Sequence, residues 1–170
     1  MLEKFLPRTK FNSYEDFKAN YRVKLPENFN FAYDVVDAWA LEAPDKTAMV
    51  WCNDEGDEKN FTFSDLKLLS DKAANVFKKC GLGKSDVVML ILKRRWHYWV
   101  CTLALEKLGA ISIPASAQLT KKDIIYRNNA ASVKMIVSVT DPEIEAFVEQ
   151  SLEESPTVVC KALVGGRREG

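Results

Sequence analysis

Three consecutive cations, Lys93-Arg94-Arg95, stand between an apolar run and a segment of helical pattern, and no other residues of this sequence are so well placed for chemistry. In α/β proteins, ligands bind beyond the carboxyl ends of strands, which is where such a junction lies. Cations at a helix N-terminus oppose the helix dipole at ~0.3–1 kcal/mol each when unscreened. A docked anion would offset that cost, which makes Lys93, Arg94 and Arg95 a candidate anion-binding site. The same triplet also reads as a solvated basic turn, or as cations paired with acidic residues on a neighbouring element. The sequence leaves both readings open.

Other reactive side chains stand alone. His97 is the sole histidine and sits beside Trp96, Tyr98 and Trp99. There it is expected to titrate near neutrality, but with no carboxylate or nucleophile close in sequence it reads as a structural residue. Cys52, Cys80, Cys101 and Cys160 are widely spaced, without a C-x-x-C pair; three of them sit in apolar or helical surroundings, so the reading is buried reduced thiols. One histidine and scattered cysteines give no zinc-site spacing. Gly165-Gly166-Arg167-Arg168 matches neither phosphate-binding glycine motif and reads as a polar loop. No catalytic residue or metal ligand emerges from spacing alone.

The elements that must position the basic triplet follow from periodicity. Ser13 with Asp16 suggests a capped helix over 14–21, and Val35, Val36, Trp39 and Ala40 set a second over 32–42. Extended runs at 47–52 and 59–63 flank a polar turn and predict a β-hairpin. A long helix follows, with Ser64 as its expected cap and Gly81 as its stop. Apolar runs at 87–92, 110–113, 135–139 and 157–164 then alternate with helical patterns at 96–108, 120–129 and 142–152. The helix over 96–108 is apolar nearly all round, so it either walls an apolar pocket or lies inside the core. This alternation predicts an α/β fold with a mainly parallel sheet flanked by helices, after a short N-terminal helical segment and a hairpin. The expected division is a helical segment over 1–45, an α/β subdomain over 46–165 and a loop over 166–170.

Composition narrows the partners. The 170 residues are 47% apolar and 28% charged, with 24 basic and 24 acidic side chains. That balance gives no field for nucleic acid, and no segment reaches the ~20 apolar residues of a membrane helix. The amino terminus lacks a signal-peptide pattern, so the expected location is cytoplasmic.

Several segments together resemble the amino-terminal region of the AMP-forming, acyl-adenylate-forming synthetases, in particular the acetyl- and medium-chain acyl-CoA synthetases. Residues 28–40 (Asn-Phe-Asn-Phe-Ala-Tyr-Asp-Val-Val-Asp-Ala-Trp-Ala) resemble the entry helix of the medium-chain group. Phe61-Thr62-Phe63-Ser64-Asp65-Leu66 is similar to the family's first core motif, and residues 105–114, a helix ending on Gly109 before a strand ending on Pro114, are similar to its second. Gln118, Arg94 and residues 123–127 also match the medium-chain group. Trp96 and His97 stand where that group usually has Pro and Glu, and Ala115-Ser116 replaces Gly-Thr; these departures bear on acyl-chain length.

The resemblance implies a ligase of fatty acid metabolism. ATP and a carboxylic acid form an acyl-adenylate and pyrophosphate, and coenzyme A then displaces AMP to give the thioester. It also implies magnesium, with cationic side chains that stabilise phosphate charge. The family's Ser/Thr/Gly-rich loop ending in Pro-Lys, its Thr-Glu pair for magnesium and its ribose-binding Asp have no counterpart in this sequence. A fragment that is inactive alone is therefore expected, binding none of ATP, magnesium or coenzyme A by itself. Dimerisation through exposed apolar surface is also expected. The alternatives are a self-standing α/β nucleotide- or coenzyme A-binding module and a non-catalytic assembly domain.

Overall fold

A computed structural model describes residues 2–166. Two short helices, α1 (Leu2–Phe5) and α2 (Tyr14–Asn20), open the chain, and Ser13 caps the second by accepting the Asp16 N–H at 3.1 Å. The helix expected over 32–42 is present, but its first half, Ala32–Asp37, has the wider π winding before α3 (Ala38–Glu42). The wider winding carries Asp37, five residues after Ala32, to the buried side with Ala32 and Val36.

β1 (Thr47–Cys52) and β2 (Glu58–Thr62) form the expected antiparallel hairpin. Helix α4 (Phe63–Lys79) starts earlier than Ser64 would allow, and its cap is Thr62. The Thr62 hydroxyl accepts the Asp65 N–H at 3.1 Å, and the Asp65 carboxylate accepts the Thr62 N–H at 2.9 Å. An acidic residue three positions on completes a capping box for Thr62, whereas Ser64 has Lys67 at that place.

The regular part of the chain then runs β3 (Val87–Ile91), α5 (His97–Leu108), β4 (Ile111–Pro114), α6 (Lys121–Ala131), β5 (Val133–Val139), α7 (Pro142–Ser151), a 3₁₀ turn at Leu152–Glu154 and β6 (Cys160–Val164). All four strands are parallel, in the order β4-β3-β5-β6. Chain direction across the sheet reverses after β4. Because parallel crossovers are right-handed, that reversal puts α5 on one face and α6 and α7 on the other. Packing agrees, since α5 lies against α4 while α6 lies against α7. β5 begins two residues before its expected start at 135. Val133 pairs with Val87, and Lys134 turns outward to the Asp86 carboxylate and the Gly81 carbonyl, each at 2.8 Å.

The main core is the sheet with its helices, centred on Val88, Met89, Leu90, Ile91, Met135 and Ile136, all essentially inaccessible. A second apolar cluster joins Ala32, Val36 and Phe61 to Leu66 of α4 and to Val100 and Leu103 of α5. Between the π-helical segment, α4 and α5 lies the ammonium of Lys107. Its side chain is 2% exposed, and Nζ donates to Asp37 Oδ1 at 2.9 Å and Asp71 Oδ1 at 2.6 Å. Burial pushes the Asp71 carboxyl up, but the hydrogen bonds from Lys107 and Lys67 outweigh it and hold the group below its ordinary value.

Removing one partner of a buried pair leaves the other charge uncompensated, at about 3–5 kcal/mol. Lys107→Ala is therefore expected to lower unfolding free energy by roughly 3 kcal/mol in urea titrations, near the lower end because Asp71 is partly solvated. Because the Asp71 carboxyl is depressed in the folded state, its contribution is whole above the ordinary value of 3.8 and is lost as pH falls below it. The difference between wild type and Asp71→Asn should shrink in that window, and a difference constant from pH 7 to pH 2.5 would contradict this.

Candidate functional site

The sheet reverses direction between β3 and β5, whose following helices lie on opposite faces. A crevice therefore opens beyond the carboxyl ends of these two strands, the position where open α/β sheets take ligands. The loop after β3 carries Lys93, Arg94 and Arg95; the loop after β5 carries Thr140 and Asp141; and Gly165-Gly166 follows β6. The structure thus brings all three cations of the triplet to the switch point, on one loop.

Their surroundings differ. Lys93 has a left-handed backbone (φ 51°), and its Nζ reaches across the crevice to Asp141 Oδ2 at 2.6 Å. Asp141 is also the N-cap of α7, with Oδ1 accepting the N–H groups of Glu143 at 3.1 Å and Ile144 at 3.2 Å. The Lys93 hydrogen bond, then that of the Ile144 N–H, keeps the Asp141 carboxyl below its ordinary range. Lys93 is thus paired with an acidic residue on a neighbouring element. Arg94 anchors the loop through its carbonyl, which accepts the Trp51 indole N–H at 2.7 Å. The Arg95 guanidinium lies against the loop after β6. A Cβ added to Gly165 (φ 96°) would stand 3.3 Å from Arg95 Nη1, and one on Gly166 only 2.7 Å from Thr140 Oγ1. Gly165 takes a left-handed backbone that strains other residues, and at Gly166 a Cβ would collide with the Thr140 side chain. Arg94 and Arg95 form no ion pair among the described residues, and Arg167 and Arg168 lie outside them.

His97 does not join a catalytic group. Its ring stacks on Trp96 with centroids 3.5 Å apart, and its buried Nδ1 has no hydrogen-bond partner. The expectation that it titrates near neutrality fails. Burial, then the charges of Arg95 and Lys59, push it down to about 4, so it is neutral at pH 7. The cysteines also divide. Burial pushes the Cys101 thiol up to about 12, Cys80 and Cys160 are half-buried, and Cys52, at the end of a hairpin strand, is exposed rather than buried.

Helix α5 combines the two roles expected of it as alternatives. Val100, Cys101, Leu103, Ala104 and Leu105 are core, whereas Trp99, Thr102 and Glu106 line an open concavity of about 600 Å³ with Phe31, Met49 and Val50. Its walls are apolar, apart from Thr102 Oγ1 and Glu106 Oε2, which lack hydrogen-bond partners. Burial pushes the Glu106 carboxyl up.

Sequence reasoning found the basic loop but missed its partner. The available signal was Asp141, an N-cap at the end of the strand adjacent to β3. It missed the Lys107 pair as well, because nothing in the spacing of Asp37, Asp71 and Lys107 marks them as neighbours.

Comparison with known proteins places this geometry. Residues 36–168 match the AMP-binding enzyme family. The chain is 41% identical over 162 residues to the acyl-coenzyme A synthetase ACSM4, mitochondrial, of Rattus norvegicus, covering 91% of this chain and 28% of that protein. It is 37% identical over 148 residues to the acyl-coenzyme A synthetase ACSM3, mitochondrial, of Homo sapiens, covering 82% and 25%. The chain therefore spans only about a quarter of the length of these relatives. Among solved structures, a fatty acyl CoA synthetase of Mycobacterium tuberculosis superposes with a TM-score of 0.70 at 19% identity, covering 79% of this chain and 26% of that one. The anthranilate CoA ligase AuaEII in complex with anthranoyl-AMP superposes with a TM-score of 0.74 at 20% identity, covering 86% and 27%. These superpositions bear out the expected α/β fold. The cytoplasmic expectation is overturned, because the sequence relatives are named as mitochondrial. Balanced charge and ordinary apolar content suit any aqueous compartment, so composition could not distinguish them.

The His97 environment gives a pH test. With a folded value of about 4 against an ordinary 6.5, the unfolded chain binds more protons across that interval. Stability should fall as pH drops from 6.5 towards 4, and His97→Gln should flatten that slope. The imidazole proton resonances should titrate near pH 4, and a midpoint near 6.5 would refute the assignment.

Proposed function

This chain belongs to the AMP-binding enzyme family, among the acyl-coenzyme A synthetases, and on that premise we propose that it is the amino-terminal platform of an enzyme making acyl-CoA from a carboxylic acid, ATP and coenzyme A. The observation that carries the reading is the 41% identity over 162 residues to a protein named as an acyl-coenzyme A synthetase. Adenylation solves the central chemical problem of the reaction, the poor leaving group on a carboxylate. The names of the relatives support a mitochondrial location.

Asp141, the carboxylate at the switch crevice, is already held by Lys93 and by the start of α7. The role proposed for these residues therefore includes no contact with the metal or the nucleotide. In this reading the chain contributes scaffold: a rigid parallel sheet, a basic loop whose Arg94 and Arg95 carry no ion pair among the described residues, and an apolar face. We propose the loop as a docking point for an anionic group of the carboxylic acid or of coenzyme A. The concavity beside Trp99 is the surface on which further polypeptide packs; in the isolated chain it would drive self-association.

Two measurements test this reading. The isolated chain should give no ATP–pyrophosphate exchange above blank with acids from acetate to octanoate, and turnover would mean that the catalytic groups lie within these residues. Light scattering should show concentration-dependent association that Trp99→Glu weakens. A monomer at every concentration, with no binding of a hydrophobic dye, would remove the exposed face from the proposal.

A further inference from the structure

The concavity beside Trp99 holds two polar atoms that its apolar walls do not explain. Residues three and four apart share one face of a helix, so Trp99, Thr102 and Glu106 form a single stripe along α5. Phe31, just before the π-helical segment, and Met49 and Val50 of the hairpin contribute to the rest of the lining, around a space of about 600 Å³. Phe31, Val50 and Trp99 remain 48%, 59% and 56% exposed, so the rings and the rim are open to an occupant.

Within this lining Thr102 Oγ1 and Glu106 Oε2 are buried, and neither meets a hydrogen-bond partner. An acceptor buried without a donor is costly, and more so when it belongs to a carboxylate. No cation among the described residues answers Glu106. Its neighbour Lys107 is engaged by Asp37 and Asp71, and the Asn30 amide donates to the Glu106 backbone carbonyl, at 2.7 Å, rather than to the carboxylate. Burial alone acts on the carboxyl, pushing it up.

The chemistry of the lining selects what fills it. The faces of Phe31 and Trp99 attract cations. A carboxylate beside a hydroxyl accepts hydrogen bonds and favours a positively charged donor. The surrounding walls favour a hydrocarbon stem. A purely apolar occupant would leave both acceptors unmet, and an anionic one would add repulsion from Glu106. A basic side chain combines the required parts, a charged donor head on an apolar stem.

We propose that the polypeptide packing on this concavity inserts a basic side chain, with its stem against Trp99 and Met49 and its head donating to Glu106 Oε2 and Thr102 Oγ1. The inference rests on the reading of the concavity as a packing surface and adds the chemistry of the residue that fills it. This chain spans about a quarter of the length of its relatives, and the rest of such a protein is the source to which the inference commits.

The probe is n-hexylammonium, a basic side chain without its backbone, and n-hexanol is the uncharged control. Each is titrated into the isotope-labelled whole chain, below the concentration at which it associates, and followed by amide and indole NMR shifts. Shifts should concentrate at Phe31, Trp99, Thr102 and Glu106. The ammonium should bind roughly tenfold more tightly than the alcohol, the difference made by a hydrogen bond to a charged group. Glu106→Gln preserves the shape of the side chain and should bring the two affinities level while hexanol still binds. Equal affinities in the unsubstituted chain would overturn the proposal, as would a preference that survives Glu106→Gln. Light scattering keeps the two claims apart: association that Trp99→Glu weakens, together with no preference for the ammonium, retains the packing surface and overturns the basic side chain.

Discussion

A strand that is apolar on both faces cannot sit at a surface, and the arrangement of this molecule follows from meeting that requirement for β3. Val88 to Ile91 are essentially inaccessible, so each face of the sheet needs a helical layer and each edge of β3 a neighbouring strand. Right-handed crossovers satisfy both needs if the chain first moves to one side and then returns past its starting point. β4 and β5 consequently flank β3, and α5 and α6 are divided between the faces. The reversal that covers the strand also sends the helices after β3 and β5 to opposite faces, which makes the switch point where the basic loop sits. The candidate anion site is thus a by-product of burying a strand.

The two polar networks act on either side of this core and in different regimes. At the crevice, Lys93 and Asp141 are partly solvated, and the interaction of greater structural weight is the carboxylate accepting the first N–H groups of α7. At the interface of α4 and α5 with the amino-terminal segment, Lys107 is shielded from water, and its hydrogen bonds to Asp37 and Asp71 compensate its desolvation. The first can be rearranged at small cost and the second cannot. A ligand site is better placed beside the first, and the attachment of the π-helical segment is better secured by the second.

Much of this was legible in the sequence, and the parts that were not have physical reasons. The parallel strands were visible because β3 and β5 are continuous apolar runs, and α6 because a helical pattern runs over 120–129. Ser64 misled because a capping residue is defined by its partner three positions on, and Thr62 has the better one. The π winding at Ala32–Asp37 was hidden because it is decided by which residues must face Phe61 and Leu66. Lys107 was invisible for a related cause: a lysine that snorkels on one helix and one that is buried look alike until the opposing carboxylates are placed. For the site, the cations could be read, but Asp141 and the close approach of Gly165 and Gly166 depend on strand order, which local pattern does not encode.

The strand order also sets a timetable during synthesis. β3 leaves the ribosome first and can pair at once with β4, the strand made next. Its other edge waits for β5, which is complete only at Val139. At 5–20 residues per second, the roughly 48 residues between Ile91 and Val139 leave that edge unpaired for about 2–10 seconds. In this interval the most apolar segment of the chain presents a bare hydrogen-bonding edge, the kind that recruits strands from other nascent chains. Translation speed over α5 and α6, and the chaperones near the exit tunnel, therefore bear on the yield of folded protein.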